Sequence, residues 1–205
     1  MAEMAAQLKL RYVVITAVNR DDLPDGGSRH FAETVRQVKL ALPAAQVEVL
    51  TPDFCGDLQA VECVLDAAPD VYNHNMETVR RLYRRVRPQA NYERSLRVLR
   101  FAKQYRPDAL TKSGLMVGLG ESPDEVKELL GDILKADVDV ATIGQYLQPT
   151  RRNLPVAEYV TPARFAEYHV YGTKLGFRKV FSGPFVRSSY MADLVSQEAS
   201  ARVNA

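Results

Sequence analysis

The sequence predicts one α/β domain of parallel strands alternating with helices. Two patterns carry this expectation. Apolar runs of strand length recur along the chain, and each is followed by apolar residues at helical spacing. These runs end in polar or glycine-rich stretches, which is where parallel α/β proteins bind ligands. The size agrees: 205 residues, 46% hydrophobic and 25% charged, suffice for one sizeable core of ordinary globular composition.

In chain order, Ala2 to Lys9 reads as a short helix. Arg11 to Val18 is a nearly continuous apolar run and is expected to be a strand buried on both faces. Pro24, Gly26 and Gly27 break the pattern into a loop from Asn19 to Ser28, before a helix from about Arg29 to Leu42 with Phe31, Val35, Val38 and Leu42 on one stripe. Val47 to Leu50 is a strand, Thr51 to Gly56 its exit loop, and Leu58 to Ala67 the next helix. Val71 and Tyr72 seed a short strand. Met76, Val79, Arg80, Leu82 and Tyr83 then recur at helical spacing, so Asn73, His74, Asn75 and Glu77 are expected where strand hands over to helix. A helix over Tyr92 to Tyr105, a strand over Thr111 to Val117, a helix over Pro123 to Ala136 and a strand over Val138 to Gly144 follow. Loops then lead to a last amphipathic helix, Pro162 to Leu175. Lys179 to Tyr190 mixes apolar residues with turn formers, and a frayed polar C-terminus follows. Five strands in such alternation imply βαβ units with right-handed crossovers. The pattern leaves two architectures open, most of a (β/α) barrel or an open doubly wound sheet.

Composition narrows the function classes. The net charge of +2 comes from mixed signs without long runs, which argues against a nucleic-acid or anionic-membrane partner. No apolar run is long enough to span a bilayer and no signal peptide opens the chain, so a soluble, cytoplasmic protein is expected. Two cysteines, Cys55 and Cys63, are too few for a disulfide framework or for a metal site of their own.

The strand exits gather the candidate chemistry: Arg20, Asp21 and Asp22, then Asp53, then Asn73, Asn75 and Glu77, then Glu121, then Gln145 and Gln148. A parallel barrel would set them around one mouth. The competing reading of the third group is that Asn73 or Asn75 caps the next helix and Glu77 complements its dipole. Gly114 to Glu121 places glycines where a backbone passes close to a flat or phosphate-like group, but lacks the lysine of a phosphate-binding loop and the spacing of a dinucleotide fingerprint. Lys112 precedes the apolar run Leu115 to Val117 and lies toward the closed end of its strand, so a structural or surface role is expected rather than a Schiff base.

Five stretches together carry a family resemblance: VNRDDLPDGG from Val18 to Gly27, PDVYNHNMETV from Pro69 to Val79, TKSGLMVGLGE from Thr111 to Glu121, TIGQYLQP from Thr142 to Pro149, and SGPFVRSSY from Ser182 to Tyr190. With these the chain resembles the lipoyl synthases, radical S-adenosylmethionine enzymes that insert sulfur into a protein-bound octanoyl group. Biotin synthase shares the Asn-His-Asn strand end, but the first and last stretches point to the lipoyl enzymes. The resemblance implies a partial (β/α) TIM-type barrel of the radical S-adenosylmethionine kind with its first strand missing. Residues 1–160 would form the barrel portion, and 161–205 the C-terminal helix and tail.

The resemblance also implies a site. S-adenosylmethionine would lie at the mouth with its ribose hydroxyls on Asn75 and Glu77, whose amide and carboxylate suit a vicinal diol. Gly114, Gly118 and Glu121 would pack against its adenine and methionyl parts, Gln145, Tyr146 and Leu147 would border the adenine, and Asn19 to Asp22 would approach the methionyl amine or the substrate. Ser188 would ligate an iron of the auxiliary cluster, the sulfur donor. Two 4Fe-4S clusters, an octanoylated lipoyl-carrier domain and an electron donor such as ferredoxin or flavodoxin complete the set. Against this stands a departure: the family's CxxxCxxC loop and auxiliary cysteine set are absent. Cys55 and Cys63, seven residues apart on a loop and a helix, match neither pattern. Cys63 is expected as a small core residue and Cys55 beside the mouth. No catalytic residue is therefore assigned, and the chain is expected to be the C-terminal part of such an enzyme, inactive alone and associating through an unpaired apolar edge at Tyr12 to Val18. The alternatives are a non-catalytic remnant that binds S-adenosylmethionine or the carrier, and, less favoured, an unrelated barrel enzyme using Glu77 and Asp21 as acid and base.

Overall fold

Six strands lie parallel in one sheet, in the order of the sequence, in the computed structural model, which describes residues 1–190. The elements are α1 (Ala2–Gln7), β1 (Tyr12–Thr16), α2 (Ser28–Ala41), β2 (Gln46–Leu50), α3 (Leu58–Leu65), β3 (Val71–Asn73), α4 (Tyr83–Val86), α5 (Tyr92–Tyr105), β4 (Leu110–Val117), α6 (Pro123–Leu134), β5 (Val140–Gln145), α7 (Pro162–Leu175) and β6 (Lys179–Ser182). A doubly wound sheet reverses its strand order at a switch point, whereas a barrel adds each strand beside the last. The unbroken order β1 to β6 is therefore part of a (β/α) barrel, left open with β1 and β6 as its edges.

Period-two alternation sends the apolar side chains of each strand outward to the helices. Val47, Val49 and Tyr72 pack against Phe31, Val35, Val64 and Val98 of α2, α3 and α5. Leu115, Val117, Ile143 and Val180 pack against Leu129, Ile133 and Phe165 of α6 and α7. Each such side chain contributes roughly 1.5–3 kcal/mol when fully buried. The inward face is more polar, with a small apolar patch of Val71, Leu110, Val140, Phe181 and Val186. The helix ends follow local chemistry: Asn91 caps α5 and Thr161 caps α7, while Ser122 and Glu125 form a capping box that opens α6 with Pro123 inside it.

Three expectations are corrected. The sheet has a sixth strand: β6 pairs with β5 from Val140 opposite Lys179 to Ile143 opposite Ser182, and its four residues are too few to show a period. β1 is not buried on both faces, since Val13 and Ile15 are covered while Thr16 is exposed, as an edge position allows. No helix begins at Met76. The chain after β3 stays extended along β4, with Glu77 N donating to Gly114 O (2.9 Å) and Met116 N donating to Glu77 O (2.9 Å), and turns only at a 3-10 segment, Arg80–Leu82. Met76 and Val79 are buried against β4 and α6 without any helix, so their spacing imitated one.

The segment after β6 turns back over the inward face. Val186 is buried there, and a side chain at Gly144 would collide with the Val186 carbonyl, so β5 needs a glycine where this segment crosses it. The residues of the tail from 191 onward lie outside the described residues.

Candidate functional site

The inward face of β2, β3 and β4 carries a buried charged plug. Lys112 Nζ donates to both oxygens of Glu48 (3.0 and 3.1 Å), Asn73 Nδ2 to Glu48 Oε1 (3.0 Å) and Tyr12 OH to Glu48 Oε2 (2.7 Å). Glu48 and Lys112 are both wholly buried. Lys112 is thus a structural cation and not a surface one. Glu48 escaped the sequence reading, although a carboxylate at an inward position of an otherwise apolar strand was the available signal.

One layer nearer the mouth stand Asn75, Gly114 and Thr142. A Cβ on Gly114 would lie 2.7 Å from Thr142 Oγ1 and 2.8 Å from Asn75 Oδ1, so the missing side chain is what admits the Asn75 amide. Asn75 Nδ2 donates to Glu77 Oε1 (3.1 Å) and to Ser188 Oγ (2.7 Å), while its Oδ1 is buried with no partner. Glu77 holds φ at +67°, a strained value for a carboxylate residue, fixed by its two backbone bonds to β4. Burial raises its pKa above the usual carboxylate value, opposed by the Asn75 hydrogen bond and the Arg87 charge. Neither Asn73 nor Asn75 caps a helix: Val79 precedes the 3-10 turn without a side-chain cap.

A relay fixes this strand end from behind. His74 Nδ1 lies 2.9 Å from Thr51 O and its Nε2 lies 3.0 Å from Ser95 Oγ. A carbonyl only accepts, so Nδ1 carries the proton and Nε2 accepts from Ser95. Ser95 in turn accepts from Tyr83 OH (3.0 Å), and Arg87 Nη1 donates to Tyr83 OH (2.8 Å) and to Asn75 O (3.0 Å). Burial holds His74 neutral, its pKa pushed down to about 4. From sequence alone His74 shows only as a strand-end residue, since Thr51 and Ser95 are far from it along the chain.

The structure divides the remaining candidates. Asn75, Glu77, Gly114 and Ser188 come together. Gly118, Glu121, Gln145 and Tyr146 form a second group that pins the segment before α7: Glu121 accepts from Gly118 N (2.5 Å) and Leu119 N (3.0 Å), Gln145 donates to Glu158 O (3.0 Å) and accepts from Val160 N (2.9 Å), and Tyr146 OH donates to Leu154 O (2.8 Å). Gly118 has φ +99° and no room for a side chain against Gln145 and Glu158. Leu147 is half exposed, Gln148 donates to Asn153 O, and Arg20 pairs with Asp22 rather than facing the pocket. Asn19, Asp21, Asp53, Cys55, Arg87 and Arg94 border a separate cavity of about 170 Å³. There Arg94 pairs with Asp53 at 2.7 Å, and desolvation together with the Asp21 charge raises the pKa of the exposed Cys55 thiol. Cys63 is half-buried against the α2–α3 core. Among the described residues no group of three or more His, Cys, Asp or Glu side chains is placed to hold a metal ion.

Residues 1–133 match the family model of the radical SAM superfamily. The chain is similar to a lipoyl synthase of Thermus thermophilus, 57% identical over 203 residues that cover 98% of this chain and 63% of the relative. It is 56% identical to one of Caldanaerobacter subterraneus (95% and 68% covered) and 53% identical to one of Rubrobacter xylanophilus (97% and 62%). It therefore spans about two thirds of the length of these relatives. Among solved structures it is similar to methylornithine synthase, with TM-score 0.67, 15% identity and coverage of 87% of this chain and 53% of that one. It is also similar to coproporphyrinogen III oxidase from Escherichia coli, described as a radical SAM enzyme, with TM-score 0.61, 14% identity and coverage of 85% and 44%. At such identities these structures speak to the fold alone.

Proposed function

Because the chain belongs to the lipoyl synthase family of the radical SAM superfamily, we propose that its inward pocket at Asn75 and Glu77 holds S-adenosylmethionine by the ribose, in the service of sulfur insertion into an octanoyl group carried on a protein lysine. The observation that carries the proposal is the buried, unpartnered Asn75 Oδ1 beside the Glu77 carboxyl, packed where Gly114 has no side chain. An acceptor left unpaired at such a depth costs roughly 1–3 kcal/mol, and a hydroxyl donor restores it. Two adjacent acceptors, an amide oxygen and a carboxyl, match the two donors of a vicinal diol. The His74–Ser95–Tyr83–Arg87 relay holds the Asn75 backbone in place for that contact.

Bound next to a reduced 4Fe-4S cluster, S-adenosylmethionine would supply the radical chemistry. The residues of this chain do not suit the cluster itself: Cys55 and Cys63 sit on different elements, and two thiols cannot hold four irons. An iron-ligand role for Ser188 belongs to the same proposal and requires thiolates beyond these two. An octanoylated carrier domain and a reductant such as ferredoxin or flavodoxin are the partners that the reading requires.

Calorimetric titration with S-adenosylmethionine tests it. The wild-type chain is expected to bind, and Asn75→Ala combined with Glu77→Ala to weaken binding by about tenfold or more. Equal affinity for the two proteins would remove the ribose assignment.

A further inference from the structure

The charges of this chain are unevenly placed. Residues 80–106 hold ten of its 27 lysines and arginines against a single acid, Glu93, so the rest of the chain carries more acids than bases. This segment leaves the exit of β3 through α4, beside the mouth, and α5 then carries it down to the closed end of the sheet, where Lys103 and Arg106 meet Asp139 and Asp108. Arg87 reaches the Asn75 carbonyl, and Arg97 Nη2 donates to Gly56 O (2.8 Å) in the loop after β2.

Part of this charge is balanced within the fold. Arg80 pairs with Glu93 and Asp132, Arg81 with Glu125, Arg94 with Asp53, and Lys103 with Asp139. Arg84 and Arg85 on α4, and Arg100 farther along α5, are different, and the first two are the ones beside the mouth. They lie side by side on α4, are exposed, and have no ion pair or hydrogen bond among the described residues. Next to them Arg87 uses only Nη1 in hydrogen bonds and lies 5.5 Å over the Tyr83 ring, at the cavity it lines. Arginine presents a rigid fork of donors that suits carboxylates.

We infer that Arg84 and Arg85, with Arg87 behind them, form a docking surface for a protein that presents carboxylates. Resting on the reading of the pocket above, we assign that protein as the carrier domain whose octanoyl-lysine enters the mouth. The position favours the carrier: α4 follows the strand end that bears Asn75, and Arg87, two residues beyond Arg85, donates to the Asn75 carbonyl, so a protein held at α4 stands beside the proposed site. A nucleic acid is disfavoured because two free cations on a four-residue helix make few phosphate contacts, and the acidic remainder of the chain repels a long polyanion. Exposed charges of this kind act chiefly on the association rate and its salt dependence.

The test is surface plasmon resonance of the full chain against an octanoylated carrier domain at low and high ionic strength. Arg84→Glu combined with Arg85→Glu is compared with Arg36→Glu, a control on α2. Circular dichroism checks the fold, and Arg84→Gln with Arg85→Gln serves as a milder pair should the reversal disturb it. The expected result is salt-sensitive binding by the wild type, an association rate about tenfold lower with a flatter salt dependence in the double variant, and no change in the control. Wild-type binding that the double variants leave intact would overturn the docking surface while sparing the carrier reading. No wild-type binding at any ionic strength would overturn both. Loss of binding to a DNA duplex or to flavodoxin, with carrier binding retained, would give the surface to that other partner and equally overturn the assignment.

Discussion

Glu48, buried under the pocket, ties together Lys112, Asn73 and Tyr12 from three other strands. Removing one partner of a buried ion pair leaves the other uncompensated, which costs about 3–5 kcal/mol. Lys112→Ala is therefore expected to lower the urea midpoint sharply, whereas Lys112→Met with Glu48→Leu should recover part of the loss, limited by the buried Asn73 donor that Glu48 leaves behind. Equal destabilisation by the single and double changes would contradict the pairing. His74 gives a pH dependence. Its ordinary pKa of 6.5 falls to about 4 in the fold, so the unfolded chain takes up the proton first as pH falls. Stability is complete above about pH 6.5, declines toward pH 4 and levels off below it, a loss of about 3 kcal/mol. Buried Glu77, with its raised pKa, works in the opposite sense, so the check is a comparison. Unfolding of His74→Gln between pH 7 and pH 4 should show a slope smaller by about one proton than that of the wild type. An unchanged slope would mean that His74 is not the neutral group of the relay. At this scale the spacing of Asn75 and Glu77 was legible because both lie within one short stretch. The contact of Ser188 with Asn75 was not, because it joins residues 113 apart in sequence that only the return of the chain brings together.

At the scale of elements, Gly114 is where strand and site meet. Gly114→Ala would press Thr142 Oγ1 and Asn75 Oδ1, both ends of movable side chains, so the fold is expected to lose only about 1 kcal/mol. The displaced Asn75 should nevertheless weaken S-adenosylmethionine binding in the same calorimetric assay, by no more than the Asn75→Ala, Glu77→Ala pair does, and unimpaired binding would show that Asn75 is not needed in its present position. The helices α5 and α7 match their expected bounds residue for residue, since Asn91, Thr161 and Gly176 announce their ends. The stretch from Met76 to Tyr83 misled because burial against β4 at every third or fourth residue has the same signature as a helix face. β6 was missed because Val180 and Phe181 alone cannot display alternation.

For the whole molecule, alternation of strands and helices was plain in the sequence, but the choice between a barrel and a doubly wound sheet was not, because both are built from the same βα repeat. Strand order decides it, and order depends on contacts between elements that local periodicity does not encode. That winding sets β4 between β3 and β5, and so gathers Asn75, Gly114 and Thr142 at one point, with Glu77 beside Asn75. The most direct measurement is a crystal structure of the chain with S-adenosylhomocysteine. The ribose hydroxyls are expected within hydrogen-bond distance of Asn75 Oδ1 and the Glu77 carboxyl. A nucleoside bound elsewhere, with Asn75 Oδ1 still unpartnered, would contradict the account.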